Sequence, residues 1–552
     1  MSIRRLGVVG VGMLALLVLA ACGSSSKKEQ SPAVTTPTTP TTPTTPTTPT
    51  TPTPPPVERT RGNWTYYDAG QGLSQDIQDV SADEGGNVYV AGGDAVYVKK
   101  KADDRFLRFD AKNAGLTETC NDLAYIDPAN IQYPPTPPYL CRVISVAGAA
   151  PGAAIIGYKG FSQKEGDLGY ERDQWAWAVT TGGADVVAFD PDKGTLTKAR
   201  HVWIASPPGI VCHADGTERA ATGCSDPTDP WWNSGRALVR RIERIVVNHD
   251  RSSPMYGDVW LGGNHAVFSV LLANAAARGY PDKTAAYDGI RFGHSSTAFG
   301  DWSDAKDVWE HVHPVISPNG SGLFLDGEGY ALSIDPRSGM VWGSNEFRTA
   351  YVTGYGPNLA NDQWWMGPLD ASVVNDQPSW YVDVWPDPKT PTDPADPNFV
   401  LRFTANTRDD VRSVSHCPDG SLWVGSTTHG LARIDTGSFA VTHVDLPNDG
   451  LGGVTAVACD PKDGSLWIGR GLRDWSYPDD FVIVGGGLQR YRNGTFETID
   501  TTGLPEFANH AVNSIQIDRW STPRVLYFAF HPTVDKGGKI TAEGGVASYD
   551  GD

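Results

Sequence analysis

The sequence predicts an all-β protein: a seven-bladed β-propeller closed by strand exchange between its two ends. Three observations carry that expectation. A short strand phrase, with an aromatic or aliphatic core and a small residue near its end, recurs seven times. Two well-matched copies, centred on Trp423 and Trp467, stand 44 residues apart. That is room for four short strands and their turns. Finally, the last phrase, GGVASYDGD, is one strand short of its earlier counterpart GGLQRYRNGTFETIDTTGL, and the missing strand has a match near the N-terminus.

In chain order, the first element is an address. Arg4 and Arg5 precede an apolar run from Leu6 to Ala21, which closes on Leu19-Ala20-Ala21-Cys22. A charged start, a short apolar stretch and small residues before the cut define a secretory signal. The run is too short and too early to be the sole transmembrane helix of an integral protein. The tetrapeptide resembles the lipobox of bacterial lipoproteins. That resemblance implies that Cys22 is acylated and begins the mature chain, with Gly23 after it implying sorting to the outer membrane. Several acyl chains anchor firmly where one is marginal. Residues 1–21 are therefore expected as signal peptide and 22–60 as lipidated N-terminus and linker. From Pro32 to Pro56 that linker is almost purely Thr and Pro. Proline fixes φ and withholds its N–H, so an extended polyproline stalk about 75 Å long is expected.

Residues 61–552 are expected to form the propeller, with loop insertions. The strand phrase reads NVYVAG at Asn87, AAIIGY at Ala153, DVWLGG at Asp258, MVWGS at Met340, SLWVGS at Ser421, SLWIGR at Ser465 and VLYFAF at Val525. The Ala153 copy lacks the aromatic residue, and the Met340 copy is one residue short. Before most copies stands apolar-x-x-apolar-x-x-Asp/Asn, as in Ile77, Val80 and Asp83, or Val512, Ile515 and Asp518. Asp bonds a turning backbone, which predicts a tight turn into the next strand. After the copies come GLARID at Gly430, GLQRYR at Gly487 and GVASYD at Gly545, then an aromatic strand ending in Gly-Leu. Examples of that last element run from Phe106 to Leu116, Phe439 to Leu451 and Phe496 to Leu504. In GNWTYYDAGQGL, Trp64 stands where Phe496 stands, Asp68 where Asp500 stands, and Gly72-Leu73 where Gly503-Leu504 stand. A ring closed in this way hides its strand edges.

The units resemble the two-component regulator propeller repeat, D-G-x-L-W-[IV]-G followed by G-L, best over residues 62–116 and 405–550. The resemblance implies a propeller fold and an extracytoplasmic sensing domain of the kind fused to kinases. No cytoplasmic segment follows in this sequence, so a direct kinase role is not expected. Fold alone does not give function.

The net charge of −19 argues against nucleic acid or an acidic membrane surface as the main partner, because both would repel it. The six cysteines after Cys22 fit an exported chain. Cys120 and Cys141 flank one insertion and Cys212 and Cys224 another, and both pairs are expected as disulfides. Cys417 and Cys459 lie in the first strands of adjacent units, where a bridge and two buried thiols are both open. No phosphate loop, nucleophile elbow or metalloprotease motif occurs, so no catalytic residue, metal ligand or cofactor is assigned. On the expected strand map, segments 117–141, 160–182, 205–240, 314–328 and 471–485 share one face, whereas 271–306 and 353–398 share the other. Trp231, Trp232, Trp475 and Tyr477 fall on the first face and are the candidate binding residues, since aromatics dominate interface hot spots and stack on sugars. The function read from the sequence is a binding or scaffold lipoprotein that contacts another envelope protein or a surface glycan. The alternative is an extracytoplasmic propeller enzyme, a lyase or glycan-cleaving enzyme.

Overall fold

The computed structural model describes residues 58–117, 143–158, 183–202, 242–253, 255–263, 268–273, 308–312, 331–339, 341–344, 349–352, 379–382, 384–385, 410–473, 483–534 and 540–551. The leader, the stalk, Cys22, Cys120, Cys141, Cys212, Cys224, Trp231, Trp232, Trp475 and Tyr477 lie outside them.

The described residues are almost entirely β. They form six four-stranded antiparallel sheets, one five-stranded sheet and a small two-stranded sheet. In chain order the sheets begin with the strands Asp79–Ala82, Val143–Gly148, Ile242–Val247, Ala331–Ile334, Val411–His416, Gly453–Cys459 and Val512–Asp518. These are called the first to seventh sheets below. Each of the seven recurrent phrases is the second strand of its sheet. The starting strand of each sheet packs against that of the next, and Val512–Asp518 packs against Asp79–Ala82.

Burial follows this layering. Second strands are mostly apolar and buried; Val88–Gly92, Val259–Gly263 and Ser421–Ser426 are buried at every position. Outer strands such as Val441–Val444 and Thr495–Thr498 face solvent and carry polar residues. The small residue in the phrase marks a close approach between sheets. A Cβ on Gly425 would stand 2.4 Å from Cγ1 of Val454, on the starting strand of the next sheet.

The turn chemistry is as the sequence implies. Oδ1 of Asp83 accepts from the N–H groups of Gly85 (2.7 Å) and Asn87 (3.0 Å). Asn248, Asp335, Asp460 and Asp518 accept from the second residue after them in the same way. The Gly-Leu pairs end the outer strands: Gly72, Gly115 and Gly503 all have positive φ, where a side chain is disfavoured, while Leu73, Leu116 and Leu504 are buried.

Two expected placements differ. Phe439 does not start the outer strand of the fifth sheet. It sits in the turn at φ 59, with its ring 6.2 Å from Trp342 of the preceding sheet, and Val441–Val444 takes the edge. Segment 353–398 is not one insertion, because Ser379–Val382 pairs with Thr349–Val352 inside it.

The chain ends meet in the seventh sheet. Trp64–Tyr67 pairs antiparallel with Gly545–Tyr549, with Trp64 opposite Tyr549 and Tyr67 opposite Val546. The half-buried Trp64 ring stands 4.7 Å from Tyr549, 5.3 Å from Phe528 and 5.7 Å from Trp467 of the sixth sheet. It therefore joins N-terminal, C-terminal and neighbouring-sheet cores. Trp64→Ala is expected to lower unfolding free energy by about 3 kcal/mol, the low end for loss of a tryptophan, because the ring is only half buried. Urea denaturation checks this; an unchanged midpoint would mean that the pairing contributes nothing to the core.

Candidate functional site

The starting strands enclose a cavity of about 540 Å³. Its wall is built from these strands, including Ser81, Ser333, Ser413, Cys459 and Ser514, and from residues of the turns that follow them, such as His249, Pro336 and Arg519. It therefore lies toward the face that carries the turns between first and second strands.

The wall is tied together sheet by sheet. Starting strands of adjacent sheets share no ladder, so their facing backbone groups need side-chain partners. Val146 donates its N–H to Oδ2 of Asp79, and Gly148 to Oγ of Ser81, both at 3.0 Å. Val457 and Cys459 donate to Oγ of Ser413 and Ser415, again at 3.0 Å. In the other direction, Ser145 donates to the Ile242 carbonyl (2.5 Å) and Thr455 to the Val512 carbonyl (2.6 Å). A disulfide adds a covalent tie: Cys417 and Cys459 are bridged, with their Cα atoms 5.2 Å apart. Of the two readings of this pair, the bridge is the one found.

At the inner end, Arg244 of the third sheet reaches Oδ1 of Asp79 in the first sheet (3.4 Å). It also reaches Oγ of Ser514 (3.3 Å) and the Asn513 carbonyl (3.4 Å) in the seventh. Burial raises the pKa of Asp79, opposed by Arg244, Ser514 and the N–H groups of Val146 and Val80. At the mouth, the Glu84 side chain is only 2% exposed and gathers Arg251, His249 at 3.1 Å and the Tyr256 hydroxyl at 2.9 Å. Burial works against this carboxylate, yet the bonds from Arg251, His249 and Tyr256 prevail and hold its pKa below the ordinary value. Burial lowers the pKa of His249, with Glu84 opposing. Its ring packs at 4.7 Å against Trp520 of the seventh sheet. The network thus spans three sheets.

A second cluster looks catalytic but is built as a tie. Oδ1 of Asp185 lies 2.6 Å and Oγ1 of Thr117 2.9 Å from the same nitrogen, Nδ1 of His201. A nucleophile–base–acid relay needs its two partners on opposite ring nitrogens. Asp185 also accepts from the Tyr158 hydroxyl (2.6 Å) and the Thr117 N–H (2.8 Å). Despite burial, these bonds lower its pKa. The cluster fixes the outer strand of the second sheet to the chain leaving the first. Among the described residues no group of three or more His, Cys, Asp or Glu side chains is placed to hold a metal ion.

Of the site residues singled out in the sequence, Cys417 and Cys459 lie among the described residues, and Cys459 lines the cavity. The cavity residues were missed because Arg244, His249 and Arg519 stand in no motif; only the packing of starting strands brings them together. The regular Asp/Asn closing each first strand was the available signal, since the cavity mouth follows those positions.

No family model and no curated protein matches the chain. Among solved structures, the extracellular domain of a putative hybrid two-component system from B. thetaiotaomicron is similar, at 12% identity and a TM-score of 0.41. The match covers 88% of this chain and only 41% of that one. One chain of a mitotic checkpoint complex is similar at 10% identity and a TM-score of 0.41, over 90% of this chain and 98% of that one.

His416, beside the disulfide, supplies a pH test. Its Nδ1 lies 2.8 Å from Oγ of Ser333. Burial pushes its pKa down to about 4, with Asp335 opposing and Arg337 assisting. An unfolded histidine titrates near 6.5, so between about pH 6.5 and 4 the unfolded chain takes up a proton that the folded one refuses. Stability is therefore expected to fall as pH drops through that window, by up to about 3 kcal/mol from this residue. Urea titrations of wild type and His416→Gln across the window check it; parallel curves would remove the contribution.

Proposed function

We propose that the chain is a seven-bladed propeller, closed by pairing of Trp64–Tyr67 with Gly545–Tyr549, that serves as a binding or scaffold module at the bacterial cell envelope. Acylated Cys22 anchors it to the outer membrane, and the Thr/Pro stalk carries the propeller away from the lipid. Its partner is another envelope protein or a surface glycan rather than nucleic acid.

The observation that carries this reading is the strand order. Antiparallel sheets send their second-to-third and fourth-to-next-first connections to one side. Residues 118–142, 159–182, 203–241, 313–330, 386–409 and 474–482 all belong to connections of that kind. Only 274–307 and 353–378 among the long connections join third strands to fourth strands. Elaboration is thus concentrated on one face, as suits recognition by loops on a rigid scaffold. The same connections hold Trp231, Trp232, Trp475 and Tyr477, residue types that dominate hot spots. A lyase or glycan-cleaving role would need an acid–base pair facing open space. Among the described residues around the cavity, Arg244 and His249 are instead engaged in bonds between sheets, which favours binding.

Replacing Trp231 and Trp232 together by Ala is expected to weaken partner capture by about 2 kcal/mol or more while leaving the melting temperature unchanged. Pull-downs after crosslinking on intact cells, paired with thermal melts, check this. Capture equal to wild type would move the partner elsewhere, and a lowered melt would make the rings core. Cys22→Ser is expected to shift the protein from the membrane to the soluble fraction or leave it unprocessed. Fractionation and mass spectrometry of the N-terminus read the outcome, and normally processed protein retained in the membrane would reject the anchor.

A further inference from the structure

We propose that the axial cavity is a binding site for a small oxyanion, a carboxylate or a phosphate group on a compact organic frame, with Arg519 as its cationic anchor. This site opens on the face opposite the elaborated connections, so it is independent of the macromolecular partner.

Arg519 follows Asp518 at the end of the seventh sheet's starting strand and lines the cavity together with Trp520 and, from the third sheet, His249 and Asp250. Other arginines are committed. Arg244, Arg251, Arg412, Arg470, Arg490 and Arg524 each stand within reach of a carboxylate. Among the described residues Arg519 makes no ion pair or hydrogen bond. Arg519 is itself exposed on the cavity wall.

The rest of the wall suits an anion. Arg244 adds a second cation at the inner end, and its counter-charge Asp79 is buried behind it and bound by Val146. Of the carboxylates near the mouth, Glu84 is held by Arg251, His249 and Tyr256, and Asp250 accepts from the N–H (2.9 Å) and hydroxyl (2.6 Å) of Ser252 in its own turn. At about 540 Å³ the space falls in the range of small-molecule sites and exceeds what a bare ion needs. A planar guanidinium takes carboxylate or phosphate through two parallel hydrogen bonds, and the adjacent Trp520 offers an apolar surface to the frame.

Isothermal titration calorimetry at low salt with sodium phosphate, D-glucuronate and neutral D-glucose tests the site. Saturable binding of at least one anion is expected, with none for glucose. Binding of glucuronate alone assigns a carboxylate ligand, and binding of phosphate alone assigns a phosphate. Arg519→Gln is expected to weaken binding about tenfold or more, and Arg519→Lys less, because charge survives without the fork. Arg433→Gln, at an exposed pair with Asp419 away from the cavity, is expected to bind as wild type. No saturable binding of either anion, or wild-type affinity in a folded Arg519→Gln, overturns the proposal. Should Arg519→Gln melt early, Arg519→Lys decides, and wild-type affinity in both variants also overturns it.

Discussion

The fold depends on how the starting strands satisfy their outward-facing edges. Each has a ladder partner on one side only, and the other side faces a neighbouring sheet to which it does not pair. Buried amides and carbonyls left in that position would each cost about 1–3 kcal/mol. Serine, threonine and aspartate side chains fill the gap: Asp79 and Ser81 hold the second sheet's strand, Ser413 and Ser415 the sixth's, and Ser145 and Thr455 bond carbonyls of the third and seventh. Short hydroxyls and carboxyls suit this because they reach across without forcing the strands apart.

That solution also makes the cavity. Side chains spent on holding neighbours point along the wall rather than filling the centre, so the middle stays open. The hydroxyls lining the space are already used, and its selectivity falls to the few groups that are not. Arg244 bridges the third, first and seventh sheets at the inner end, while His249 and Glu84 brace the mouth. Arg519 is left facing the space between them.

The two sides of the sheets are consequently different in kind. One carries tight Asp-capped turns and the cavity mouth, where geometry is set by the first-strand ends of each sheet. The other is the side on which second strands lead to third strands and fourth strands to the next starting strand.

How much of this was readable beforehand follows from the range of each interaction. The phrase SLWVGS, the Asp before each turn and the closing Gly-Leu report local constraints: burial on both faces, a side chain capping its own backbone, a positive φ. Those operate within a few residues and leave a mark in the sequence, as did the missing strand that Trp64–Tyr67 supplies. Phe439 and segment 353–398 were misplaced because their local signals are weak and tertiary packing settled them, Phe439 against Trp342 and Ser379–Val382 against its strand partner. The bridge between Cys417 and Cys459 could not be chosen over two thiols until the distance between adjacent strands was known. Arg244, Asp79, His249 and Arg519 are hundreds of residues apart in places and share no motif. Their meeting is decided by tertiary packing alone, because only the contacts between successive starting strands bring these distant residues together.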